Sequence, residues 1–233
     1  MSHNIKKINL NHSFIFFFIV NIFSVLIFKF NNINISTILC LFLILTIGVS
    51  HGSLDYIKGK KLLELFNIQH TYLFYLLYIL IALGIIFTWI LLPSITLILF
   101  LIVASYHFGK EDTEFLVIDK SYLTEILYFF KGFLIILAPM YFHFQDTVNI
   151  FKLLLIDNEV FYSILSFVEA NKIIEIGIFI STTSSIFLFL NKFEIIKFSI
   201  FLDFFSIIIL NYYLPPLIAF TIYFCFLHSI RHS

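Results

Sequence analysis

Four histidines in three short motifs carry most of the chemistry available to this chain. His51 stands in SHGSLDY, His107 in SYHFGKED, and His228 and His232 in the C-terminal HSIRH. Neutral imidazole is the commonest side-chain metal ligand. In HSIRH the two rings are four residues apart, so a helix presents both from one face. HExxH motifs hold zinc with the same spacing, although no Glu follows His228 here. An all-imidazole set suits zinc, copper, iron or nickel and disfavours calcium and magnesium; spacing does not choose among the four. Apolar surroundings with few general bases suit oxygen chemistry on a lipid better than hydrolysis.

Each motif also brings side chains that could support its histidine. A metal-bound imidazole usually donates its other N–H to a carboxylate, carbonyl or water. Asp55 follows His51 by four residues, and Asp112 follows His107 by five, within reach if the chain turns at Gly109. Gly52 and Gly109 would let another helix come close. Ser50, Ser105 and Ser229 could hydrogen-bond a carbonyl, a ligand or water, and Tyr106, beside His107, could face a substrate or oxygen pocket. His143, in APMYFHF, is a second-tier candidate, and His3, His12 and His70 read as interfacial residues.

The elements that must position these motifs are membrane helices. The chain is 61% hydrophobic and 12% charged, where a soluble domain is nearer half and a quarter; its mean hydropathy is +1.05. A span needs about 20 mostly apolar residues. This predicts helices near 13–30, 33–51, 70–92, 94–108, 122–144, 173–191, 195–214 and 216–232, and an interfacial or re-entrant segment at 147–169. The expected fold is all-α: a polytopic transmembrane bundle of about seven or eight spanning helices plus one interfacial helix, a single domain over 1–233. The N-terminus has a basic region before an apolar run but no small-residue cleavage site, and is expected to be a retained first helix in a multi-pass cell-membrane protein.

Basic residues favour cytoplasmic loops. With the N-terminus inside, ten of the Lys and Arg residues lie on the inner face, against Lys29, Lys152 and Lys172 outside and Lys131 within a helix. The helices ending at His51, at His107 and at His228 with His232 then all end on that inner face, so the four rings share one level; His143 falls on the other. The formal net charge is zero and there is no basic run, so nucleic acid is not an expected partner. Cys40 and Cys225 lack CxxC spacing and read as packed or lipid-facing thiols.

SHGSLDY, SYHFGKED and HSIRH, in this order on a polytopic chain, resemble the bacteriorhodopsin-related protein (Brp/Blh) family of β-carotene 15,15′-dioxygenases, from about Ile47 to the end. The KGFLIILAPMYFHF stretch is similar as well. The resemblance implies an Fe(2+) enzyme that uses O2 to split β-carotene at its central double bond into two all-trans-retinal molecules. It implies iron ligands at His51, His107, His228 and His232, a lipid-bilayer setting, and hand-over of retinal to a rhodopsin. Family members usually continue beyond HxxRH with further hydrophobic sequence, whereas this chain stops one residue after His232. It is either a shortened member or one whose C-terminal helices lie outside this chain. Two other readings compete: a histidine-lined metal-ion transporter, and a non-catalytic rhodopsin-associated membrane protein.

Overall fold

The protein is described from a computed structural model covering residues 3–30, 36–52, 55–65, 72–117, 121–154, 156 and 158–232; within these, the side chains at 3, 27–30, 49–52, 55–58, 62 and 232 are outside the description. Apolar runs of membrane length fold as helices because a helix satisfies its backbone hydrogen bonds internally. In chain order the helices are α1 (His3–Phe30), α2 (Thr37–Gly52), α3 (Asp55–Leu65), α4 (Tyr72–Leu91), α5 (Pro93–Glu111), α6 (Tyr122–Phe142), α7 (Phe144–Leu153), α8 (Glu159–Ala170), α9 (Ile173–Leu190), α10 (Phe198–Tyr213), α11 (Pro216–Ile222) and α12 (Ser229–His232). A π-helical segment, Tyr223–His228, joins α11 to α12. No strand occurs among the described residues.

A helix stands at each of the eight expected positions, but among the described residues six, not seven or eight, have the length and apolarity of a span. The segments Thr37–Gly48 and Pro216–Arg231 are shorter. The segment expected at 147–169 is two helices, α7 and α8, with Asn158 starting the second by accepting a hydrogen bond from the Phe161 N–H at 3.0 Å. Helix α3 was not expected. Its Asp55, Lys58, Lys60, Lys61 and Glu64 keep it below any hydropathy threshold for a span.

Helix α6 is the central post, packed on α5, α9 and α10, while α1 lies along α10 and α2 lies on α11 and the π segment. Small side chains allow these contacts, as membrane helices require. A Cβ on Gly109 of α5 would come within 1.8 Å of the Tyr128 carbonyl oxygen, and one on Gly132 of α6 within 1.9 Å of the Ser105 carbonyl oxygen. Helix α5 therefore continues straight through Gly109, where the sequence had suggested a turn, because that glycine serves close approach. Ser121 starts α6 by accepting from the Thr124 N–H, and Pro139 interrupts the hydrogen-bond ladder near its far end.

The main apolar core includes Phe108, Leu134, Ala138, Ile207, Leu210, Tyr223 and Leu227. Helix α4 stands at the periphery with none of its residues buried. Trp89 ties it inward: the indole N–H donates to the Leu154 carbonyl oxygen at 3.1 Å, and the ring packs against a cluster of Leu97, Phe151, Ile156 and Phe161.

Candidate metal centre and substrate slot

Helix α5 brings His107 to the π segment. The His107 and His228 ring centroids are 5.4 Å apart with the planes at 67°. Two imidazoles sharing one ion, each with a metal–nitrogen distance of about 2 Å, would place their centroids roughly 5 Å apart. This spacing therefore fits a common metal.

His228 is fully buried and Asp112 is 2% exposed. The His228 Nδ1 lies 2.8 Å from Asp112 Oδ1, and the Tyr223 hydroxyl donates to Asp112 Oδ2 at 2.6 Å. A carboxylate is acceptor-only, so Nδ1 carries the proton and the ring presents its Nε2 lone pair. That is the tautomer a ligand imidazole needs. The spacing, five residues after His107, suggests that Asp112 serves that ring. It instead reaches across to another helix because α5 does not turn before it: Asp112 caps the helix end and points at the π segment.

The π winding explains why Tyr223 and His228 share one carboxylate. In an α-helix, residues five apart point about 140° away from each other. The wider turn, closed by i→i+5 bonds, brings them to one side. Tyr223 was not singled out in the sequence. It is one of twelve tyrosines, and nothing in the local pattern announces a π segment.

Aromatic rings close around the pair. The Phe108 centroid is 4.7 Å from that of His228, and Phe224 stacks on the same ring at 6.0 Å. Gly48 of α2 lies against Phe224, and α2 packs on both the π segment and α12. His51, three residues after Gly48, and His232, one turn after His228, are carried there by backbone that is described. Their side chains, and those of Ser50 and Asp55, lie outside the described residues. Among the described residues, no group of three or more histidine, cysteine, aspartate or glutamate side chains is placed to hold a metal.

The remaining sequence candidates stand elsewhere. The Tyr106 hydroxyl donates to Glu125 at 2.5 Å and accepts from Lys110 at 2.8 Å, clasping α5 to α6 at a partly exposed position. Ser105 is buried against α6 and donates to the Leu101 carbonyl oxygen at 2.8 Å. His143 sits at the junction of α6 and α7, 3.7 Å from Asp146. It is eleven residues along α6 from Gly132, about 16 Å from the level of the imidazole pair.

A cavity of about 520 Å³ runs from His107 along α5 to Leu97, bounded by α6, α7, α10 and α11. Ten residues of α5 make it about 15 Å long. Its lining is almost wholly apolar, with Tyr223 near the imidazoles and Asn211 and Thr147 further along. Phe100 and Val103 line it while also being exposed on the surface of α5, so the slot reaches the outside of the bundle laterally.

A comparison with protein-family models matches residues 42–233 to beta-carotene 15,15'-dioxygenase. The chain belongs to this family. No curated protein and no solved structure matches it. The matched span begins within α2 and includes all three motifs. Helix α1 lies outside it.

Proposed function

We propose that this chain is a membrane-embedded, non-haem iron dioxygenase that cleaves β-carotene with O2 at the 15,15′ double bond. The observation that carries the reading is His107, which both lines the apolar slot and stands beside His228 with its Asp112 support. Family membership supplies the reaction class. The proposed iron ligands are His51, His107, His228 and His232. Ferrous iron, when bound, supplies the one-electron chemistry that lets O2 react with a closed-shell hydrocarbon.

The chain's own residues do the rest. Asp112 fixes the His228 tautomer, and Tyr223 holds the second oxygen of that carboxylate in place. Phe108 and Phe224 keep water from the imidazoles, which limits side reactions. The slot aligns the polyene so that one bond, set by length and fit, lies at His107. Overall, the central C=C bond breaks and each carbon takes one atom of O2 as an aldehyde oxygen, with no proton gained or lost. β-Carotene reaches the slot sideways from the bilayer, past Phe100 and Val103. The N-terminus and the metal end of the bundle face the cytoplasm.

The test is expression in cells that accumulate β-carotene, beside His51→Ala and His228→Ala variants. Loss of orange colour with retinal recovered, abolished by either substitution, is the expected result. Persistence of colour with the wild-type chain accumulated and iron supplied would sink the reading.

A further inference from the structure

The slot is apolar except at two places. One is the Tyr223–His107 end already described. The other is formed by Asn211 of α10 and Thr147 of α7, each only 6% exposed, which line the same cavity. Two polar side chains at membrane depth, facing a space shaped for a hydrocarbon, call for a reason.

Their hydrogen bonds leave specific capacity over. Asn211 donates one N–H to the Ile207 carbonyl oxygen at 2.9 Å. An amide has a second N–H and a two-lone-pair oxygen, and among the described residues neither has a partner. Thr147 spends its single proton on the carbonyl oxygens of His143 and Pro139, at 2.9 and 3.1 Å, so its hydroxyl oxygen can still accept. An amide oxygen that opens on an apolar cavity without a partner forgoes a hydrogen bond worth about 1 kcal/mol. A hydroxyl on a ligand would supply that bond by donating to it.

The position fits one part of a carotenoid. Gly132 of α6 marks the level of His107, through its contacts with Ser105 and Gly109. Thr147 bonds to Pro139 and His143, seven and eleven residues further along α6, about 10–16 Å away. Asn211 lies within that range, since the adjacent Tyr212 packs at 5.6 Å on Phe142, ten residues from Gly132 and about 15 Å along α6. A polyene whose central bond lies at His107 would bring its terminal ring to this polar pair.

We infer that Asn211 and Thr147 form a binding site for a hydroxyl group on the terminal ring, so that the substrate class of this chain includes ring-hydroxylated carotenoids. The inference rests on the oxygenase reading for its orientation, and its test separates the two. The full-length protein is offered β-carotene and its ring-hydroxylated counterpart together, in wild-type, Asn211→Leu and Thr147→Val forms. Two things are read: the ratio of the aldehydes formed, and the ratio of the two pigments retained by the purified protein.

The wild type is expected to favour the hydroxylated pigment in both ratios, and Asn211→Leu to lower that preference roughly tenfold, the worth of one hydrogen bond. Thr147→Val is expected to move it in the same direction and serves if Asn211→Leu does not accumulate. Cleavage of both pigments with unchanged ratios in both variants overturns the polar-end site and leaves the oxygenase intact. Preferential retention without cleavage of either does the reverse.

Discussion

Asp112 decides which nitrogen of His228 can meet a cation, and it does so from a different helix. Replacing it with Asn removes the charge that holds the Nδ1 proton. Such support is worth about 10–100-fold in metal affinity, so under the proposed iron ligation Asp112→Asn is expected to lower iron retention by that order. Iron content of the purified protein after challenge with a graded chelator measures it, and an unchanged retention curve would refute the assignment. Tyr223→Phe should act more weakly, since Asp112 keeps its bond to His228. At this scale the sequence was informative about residue types and depth: His107 and His228, read as sharing one level, are side by side. It misdirected the carboxylate, because proximity in sequence is visible and contact between helices is not. Tyr106 neighbours His107 in the chain but lies about 100° round the helix, where it bonds to Glu125 and Lys110.

The imidazole pair depends on how closely α5 approaches α6. Gly109→Ala would put a methyl carbon 1.8 Å from the Tyr128 carbonyl oxygen, and backbone cannot yield as a side-chain tip does. Overpacking of this kind costs about 1–3 kcal/mol or more. A lowered thermal midpoint in detergent is expected, while Gly84→Ala, with nothing within 4 Å, is expected to leave it unchanged or raised. Equal midpoints for the two variants would contradict the close contact. Helix positions were legible because apolar length is a strong signal. Helix α3 was not, since its five charged residues break that signal. Nor was the π segment, whose six residues, YFCFLH, read as ordinary apolar helix.

Three distant parts of the chain meet at Arg231. Its guanidinium pairs with both oxygens of Asp203 on α10, at 2.6 and 2.8 Å, and donates to Ser13 on α1 at 2.6 Å; Arg231 and Asp203 are 0% and 3% exposed at the side chain. Breaking a buried pair on one side costs about 3–5 kcal/mol, so Asp203→Asn should destabilise the whole bundle. The double replacement Asp203→Leu with Arg231→Met should recover much of that loss. Unfolding midpoints of the three proteins check this, and a double variant no better than the single would argue against it. The membrane class of the molecule was plain from composition alone, whereas this tie between residues 13, 203 and 231 has no local trace in the sequence. Trp89 has a use of another kind. It is the single tryptophan of the chain, anchored to Leu154 and packed against Leu97, both of which line the slot. Tryptophan emission overlaps the absorption of a retinal chromophore, so under the proposed oxygenase reading the protein contains its own optical reporter: fluorescence should dim when retinal fills the slot and return as it departs, giving product release a clock that needs no label.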